Sequence, residues 1–190
     1  MYHLKIGILA VQGAFLEHQK MLESLGAETI ELRNASDITN DLDGLVLPGG
    51  ESTTQGKLLR DLDMFEPLKS KIDAGLPVLA TCAGLILLAK DIANDERRHF
   101  ATLPIRVKRN AYGRQRESFY AESDFGDCKG VPMEFIRAPY IEAADDDVKI
   151  MSVVDGNIVG VKYGNQIAVS FHPELCEDTR IHEYFLGLCN

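Results

Sequence analysis

The segment Pro77-Val78-Leu79-Ala80-Thr81-Cys82-Ala83-Gly84-Leu85-Ile86 decides how the chain is read. An apolar run of β character leads straight into a cysteine, then two small residues, then a run of helical character. This is the pattern of a nucleophile elbow, a sharp strand-to-helix turn that lifts a reactive side chain to the carboxyl edge of a sheet. Backbones crowd at such a turn, and Ala80, Ala83 and Gly84 are small enough to allow it. A cysteine opening a helix also faces the positive end of the helix dipole, which favours thiolate. Taken alone, the segment equally fits a buried cysteine at the end of a core strand.

The flanking sequence supplies a sheet for the elbow. Residues 4–11 are apolar except for Lys5, as expected of a strand buried on both faces. Residues 14–25 place Phe15, His18, Leu22 and Leu25 at helical spacing, and Gly26 suits a helix stop. Strands are predicted at 28–32, 44–47 and 77–81, with helices from Ser52, over 65–74 and over 83–90; Ser52 followed by Gln55 has the form of a capping box. Alternation of this kind predicts a parallel sheet with helices on both faces. From residue 106 the pattern changes to short β-type runs at 106–109, 116–122, 133–137, 150–154, 158–163 and 167–171. Asp155-Gly156 between two Val/Ile-rich runs is a hairpin signal. A last helix is predicted over 179–188. The fold class expected is α/β, with a mostly parallel central sheet, helices on both faces and an antiparallel β extension in the second half. Residues 1–190 carry no repeat, linker or low-complexity tract and read as one domain.

Composition narrows the function classes. Hydrophobic residues are 45% and charged residues 26%, which excludes a disordered or fibrous chain. Twenty basic against 29 acidic residues give a net charge of −9, the wrong sign for a nucleic-acid or anionic-membrane partner. The longest uncharged run, residues 74–89, is interrupted by Gly75, Pro77 and Gly84 and is shorter than the roughly 20 apolar residues of a membrane span. Residues 6–11 are too short an apolar run for a secretory leader and lack a cleavage site. A cytoplasmic protein with reduced thiols is expected. Cys82, Cys128, Cys176 and Cys189 are then small hydrophobes, metal ligands, or one nucleophile with bystanders.

A nucleophilic cysteine needs a base. Of the five histidines, His172 ends an apolar strand in Val169-Ser170-Phe171-His172-Pro173-Glu174, so it also reaches the carboxyl edge. In an extended segment residues i and i+2 point the same way, which would bring Glu174 to the imidazole of His172. A Cys–His–Glu triad then becomes a better reading than a polar turn. Gly49-Gly50, after the third strand, offers backbone N–H groups to a developing oxyanion, and the N–H of Ala83 would point the same way.

These segments, in this order, resemble class I, triad-type glutamine amidotransferases. The resemblance narrows with Leu9-Ala10-Val11-Gln12-Gly13-Ala14-Phe15 followed by Glu17-His18, Pro48-Gly49-Gly50-Glu51-Ser52-Thr53-Thr54, Thr81-Cys82-Ala83-Gly84-Leu85-Ile86-Leu87-Leu88, Arg109-Asn110-Ala111-Tyr112-Gly113-Arg114-Gln115, Phe135-Ile136-Arg137-Ala138-Pro139 and Ser170-Phe171-His172-Pro173-Glu174-Leu175. Together they are similar to the family of glutaminase subunits of pyridoxal 5'-phosphate synthases. That resemblance implies hydrolysis of L-glutamine, and ammonia handed to a separate (β/α)₈-barrel synthase subunit within a large hetero-oligomer, for vitamin B6 synthesis. It implies Cys82 as nucleophile, His172 as base then acid, and Glu174 as its orienter. It places Gly49, Gly50, Glu51, Arg109, Ile136 and Arg137 at the substrate and Gly50 and Ala83 at the oxyanion. It implies no cofactor and no metal. The elbow begins with Ala80 where that family usually has glycine, which predicts a small local adjustment.

Other readings attach to the same residues. A peptidase or γ-glutamyl hydrolase would use a similar triad, and a binding module could keep the fold without the chemistry. His172, Cys176 and His182 could be metal ligands, although Pro173 and the lack of a paired Cys-x-x-Cys disfavour it. Arg106, Lys108, Arg109, Arg114 and Arg116 form a basic island that reads either as a solvated strand face or as a grip on a substrate carboxylate. Asp145-Asp146-Asp147 reads as a solvated turn, and Met21, Leu22 and Leu25 as core.

Overall fold

A computed structural model describes residues 3–112 and 117–190. Strands β1 (Lys5–Leu9), β2 (Glu28–Leu32), β3 (Gly44–Leu47) and β4 (Val78–Thr81) alternate with helices α1 (Phe15–Ser24), α2 (Ser52–Asp61) and α3 (Phe65–Asp73). Helix α4 (Ala83–Leu88) follows β4 directly. Then come β5 (Ala89–Ile92), β6 (Leu103–Lys108), β7 (Ser118–Phe125), β8 (Cys128–Ile136), β9 (Tyr140–Ala144), β10 (Lys149–Val154), β11 (Asn157–Tyr163), β12 (Gln166–Val169) and α5 (Arg180–Leu188).

The expected α/β class is found. Among the described residues the main sheet runs β2-β1-β3-β4-β12-β11-β9-β6-β5, with β10 added on β11. The pairs from β2 to β12 are parallel, with Ile8 opposite Val46, Leu47 opposite Ala80 and Thr81 opposite Val169. Beyond β12 the pairing turns antiparallel until β5 rejoins β6 in parallel. The near-continuous apolar character of β1, β3, β4 and β12 follows from burial on both faces. Leu45, Leu47, Val78 and Ala80 pack one way, against Leu59, Leu68 and Leu85. Ile6, Val46, Leu79, Ile167 and Val169 alternate to the other face, against Leu22, Ile181 and Phe185. Met21 and Leu25, expected in the core, are only half-buried, and Leu22 carries that face.

The second-half strands join the sheet except for β7 and β8, which form a separate hairpin. It docks through aromatic rings: Phe135 stacks on Phe119 at 4.5 Å and meets Phe171 edge-on at 5.8 Å. The end of β8 is thereby held over the carboxyl edge of β12. Asp155 and Gly156 join β10 to β11 with φ of 51° and 79°, the left-handed pair of a type I′ hairpin turn.

Three local expectations are corrected. The helix predicted over 83–90 stops at Leu88, and Ala89–Ile92 forms β5 by pairing with β6. A strand at Tyr140–Ala144 was not predicted, since Glu142 and two alanines give it no β signature of its own. Glu51, not Ser52, caps α2, its carboxylate accepting the Thr54 N–H at 2.8 Å. Of the run expected at 116–122, Arg116 lies outside the described residues.

Gly84 lies close against the sheet: a Cβ there would sit 2.1 Å from the Leu47 carbonyl oxygen. Alanine normally improves a helix over glycine by about 1 kcal/mol. Here the clash is with backbone, which cannot move aside. Gly84→Ala is therefore expected to lower stability by about 1–3 kcal/mol in urea denaturation. An unchanged or raised midpoint would contradict the packing.

Candidate active site

The loops leaving β1, β3, β4 and β12 converge at one end of the sheet. The chain steps from β1 to β2 on one side and to β3 on the other, and ligands bind at such a switch point. A cavity of about 970 Å³ opens there. It is lined by Gly49, Gly50, Glu51, Cys82, Ala83, Arg109, Ile136, Arg137 and His172, which is every expected site residue except Glu174, a residue that lies behind His172. Gln12, Asn110, Tyr112 and Glu117 also line it and were not assigned to the site from sequence.

Cys82 sits in the turn with φ 50° and ψ −102°, a conformation that costs a non-glycine residue of the order of 1–3 kcal/mol. Its N–H is anchored on the Val169 carbonyl at 2.9 Å, and α4 starts at the next residue. The first-turn N–H groups of a helix have no partner within it, and Ala83, the first residue of α4, lines the cavity. The Cys82 thiol is 3.9 Å from the Ile136 carbonyl oxygen, at the end of the docked hairpin. Ala80 lies inside β4 opposite Leu47 and Ala168, with its methyl in the core. The left-handed residue of the turn is Cys82, so the extra methyl adds packing and no backbone strain.

The His172 N–H is held by the Glu134 carbonyl at 2.8 Å, and its Nδ1 lies 2.6 Å from Glu174 Oε1. With Glu174 ionised, Nδ1 must carry a proton, which leaves Nε2 for the thiol. Burial opposes protonation of His172, but the Cys82 thiol and the Glu174 carboxylate outweigh it and push the imidazole up to about 10. Glu174 is held below the ordinary carboxylate range by His18 and His172, against a large burial penalty. The expected pairing is present, though not through extended backbone. Pro173–Leu175 forms a 3₁₀ turn, and that turn swings Glu174 under the ring.

The glycine loop is sewn to the β1 loop. Ala14 N–H donates to the Gly49 carbonyl at 3.0 Å, and the Glu51 N–H is taken by Gln12 Oε1 at 2.8 Å. Glu51 N–H is thus occupied, while the N–H of Gly50 points away from Ala14 across its trans peptide. A Cβ on Gly49 would lie 2.4 Å from His172 Cε1, so only glycine lets the loop approach the base.

At the cavity mouth Arg109 pairs with Glu51 at 3.1 Å and with Asp95 at 3.5 Å. The basic island divides: Arg106 pairs with Glu142, Lys108 lies over the Tyr140 ring, and only Arg109 turns to the cavity; Arg114 and Arg116 lie outside the described residues. The suggested metal ligands separate as well. His172 faces Glu174, Cys176 reaches the Pro132 carbonyl, and His182 contacts His18. All four cysteines are unpaired.

His18 and His182 are fully buried, and burial lowers both below the ordinary imidazole range. Unfolded, each takes up a proton below about pH 6.5 that the folded state refuses. Stability is therefore expected to fall by up to about 1.4 kcal/mol per pH unit per histidine on acidification below that pH. His99, lowered by burial and by Arg60 and Arg97, acts in the same direction. His172, raised, acts in the opposite direction between about pH 6.5 and 10, where only the folded state keeps the proton, and contributes little further slope well below pH 6.5. Urea melts at pH 6, 5.5 and 5, below the range in which His172 offsets the other histidines, check this, and a flat profile would contradict it.

Comparison with known proteins agrees with the geometry. The chain is 68% identical over 183 residues to a Desulfitobacterium hafniense (strain DSM 10664 / DCB-2) protein named pyridoxal 5'-phosphate synthase subunit PdxT, covering 96% of this chain and 92% of that one. It is 53% identical over 192 residues to the Streptococcus pneumoniae (strain CGSP14) protein of the same name, covering 98% and 97%. A crystal structure of a glutamine amidotransferase superposes with a TM-score of 0.92 at 39% identity, covering 97% of this chain and 98% of the other. PurLQS from Thermotoga maritima, at 16% identity and a TM-score of 0.70 with both chains fully covered, shares the fold. The family model of SNO glutamine amidotransferases matches residues 8–190, nearly the full length, and the chain belongs to that family.

Proposed function

We propose that this chain is a single-domain glutaminase that hydrolyses L-glutamine to L-glutamate and ammonia, working as the glutaminase subunit of a pyridoxal 5'-phosphate synthase. The observation that carries the reading is the line of Cys82, His172 and Glu174 at the carboxyl edge, with the 2.6 Å contact from His172 Nδ1 to Glu174 fixing which ring nitrogen faces the thiol. The 68% identity to a protein named as that synthase's subunit supplies the destination of the ammonia.

The chemistry is acyl transfer. The Cys82 thiol gives its proton to His172 Nε2 and its sulfur attacks the side-chain amide carbon, and the carbonyl oxygen becomes an oxyanion facing the N–H groups of Gly50 and Ala83. His172 gives its proton to the amide nitrogen as the C–N bond breaks. Ammonia leaves and a glutamyl thioester remains on Cys82. Water, deprotonated by His172, attacks the thioester; glutamate departs and the sulfur is restored. Glu174 holds the ring and balances the imidazolium charge. Glu51 and Arg109 match the α-ammonium and α-carboxylate of the substrate, while Ile136 and Arg137 close the wall beside the thiol. No cofactor enters these steps. The ammonia would pass to a synthase subunit bound in a hetero-oligomer, with both subunits in the cytoplasm.

Ammonia release is measured with and without a synthase subunit from a related bacterium. Strong stimulation by the partner, and its loss in Cys82→Ala, are expected; robust activity alone with no response to the partner would favour a free-standing amidohydrolase. A glutamine-mimicking electrophile is expected to label Cys82, and labelling of Cys176 in its place would overturn the assignment. A charge-assisted hydrogen bond contributes about 1.5–3 kcal/mol, so Arg109→Ala is expected to raise KM for glutamine by about 10–100-fold with little change in kcat. An unchanged KM would remove Arg109 from the substrate site.

A further inference from the structure

Behind Glu174 lies a second set of buried polar groups that the acyl-transfer steps do not use. His18 on α1, His182 on α5 and Thr81 at the end of β4 are all 0% exposed. His18 Nδ1 is 2.8 Å from His182 Nε2, and His18 Nε2 is 3.2 Å from Thr81 Oγ1 and 3.4 Å from Glu174 Oε2. No hydrogen bond among the described residues reaches Glu174 Oε2 or His182 Nδ1.

Proton counting decides the arrangement. A contact of 2.8 Å between two ring nitrogens requires one proton between them. If His18 supplies it and stays neutral, its Nε2 presents a lone pair to a buried carboxylate, which is repulsive. If His182 supplies it from Nε2, His18 carries its own proton on Nε2, gives it to Thr81 Oγ1, and presents the positive end of that N–H to Glu174 Oε2 at 3.4 Å. The second arrangement leaves His182 Nδ1, a neutral acceptor, without a partner, and turns toward Glu174 Oε2 an N–H at 3.4 Å, a favourable electrostatic contact longer than a hydrogen bond. The unpartnered acceptor costs less than a stranded carboxylate oxygen. Burial keeps both rings neutral, His182 more strongly than His18, on which Glu174 and Glu17 act in the opposite direction and His172 in the same.

We infer that His18, seated on His182, is a positioning residue of this enzyme that fixes the second oxygen of Glu174 and ties it to Thr81, next to the nucleophile. The inference rests on the glutaminase reading above. A carboxylate held at one oxygen can swing about its last bond and let His172 turn with it. The His18 N–H facing the other oxygen at 3.4 Å opposes that rotation. Because His18 touches both Thr81 and Glu174, it sets the acid relative to the elbow directly, and the line Cys82–His172–Glu174–His18–His182 runs from the cavity to α5.

The test compares His18→Gln with His18→Asn in the complex with the synthase subunit, counting active sites with a glutamine-mimicking electrophile. The longer glutamine amide reaches the place of Nε2 and keeps a donor for Glu174. The shorter asparagine amide mimics Nδ1, keeping the contact with His182 and losing Glu174. The Asn variant is expected to fall at least about tenfold below the Gln variant in kcat, the scale on which outer partners of site residues act. KM for glutamine is expected to agree within about twofold, because neither amide lines the cavity. The alkaline limb of the kcat profile is expected to lie lower in the Asn variant, since a loose Glu174 supports the imidazolium less. The groups facing His18 from α1, α5 and the 3₁₀ turn, namely Glu17, His182, His172 and Glu174, are the same in both variants. Equal kcat values and pH profiles, or an Asn variant more active than the Gln variant, would overturn the role and make the pair mere packing between α1 and α5. Absence of ammonia release from the unmodified complex would instead overturn the glutaminase reading itself.

Discussion

The site depends on one strained residue. Cys82 holds a backbone conformation that an L-residue with a side chain avoids, and it does so between two strands that leave it no alternative. Its N–H is fixed by Val169 on one side, while on the other Gly84 lies so close to Leu47 that no methyl fits between them. The strain, of the order of 1–3 kcal/mol, is small beside the burial of β1, β3, β4 and β12 on both faces. A rigid parallel sheet can therefore keep the sulfur where a flexible loop would let it relax. His172, Gly49 and the end of β8 are all placed relative to that fixed point.

The electrostatics follow from the same rigidity. Glu174 carries a charge in a buried place, which is costly unless partners are immobile and close. One oxygen meets His172 and the other faces His18; His172 is anchored through its main-chain N–H on Glu134, and the His18 ring is held by His182. The outcome is a base that keeps its proton well above the usual imidazole range and so remains able to protonate a leaving amine.

Much of this was legible in the sequence, and what was not has physical reasons. The parallel strands could be read because burial on both faces leaves little but aliphatic residues in β1, β3 and β4. The elbow could be read because crowding restricts its neighbours to small residues. Strand β5 could not be separated from α4, because Ala89 continues an apolar run and only the distant β6 decides its conformation. The His172–Glu174 contact was anticipated from alternation along a strand, whereas a 3₁₀ turn makes it; two geometries happen to bring i and i+2 together. His18 was visible as a polar residue on an apolar helical stripe. Its partners are 63, 156 and 164 positions away, and no local pattern shows them.

At the mouth of the cavity Glu51 caps α2 with one carboxylate oxygen and meets Arg109 with the other, while Asp95 holds Arg109 from a second side, so the charges there are already paired. Under the proposed assignment an entering zwitterion would exchange partners instead of adding charge: its ammonium would take over from the guanidinium at Glu51 and its carboxylate would join Arg109. A ligand without the ammonium would part Glu51 from Arg109 and offer it nothing in return, whereas Arg109 would keep Asp95. Selection for a free amino acid over a peptide-bound or blocked glutamine would then begin at the entrance, before any contact with the sulfur.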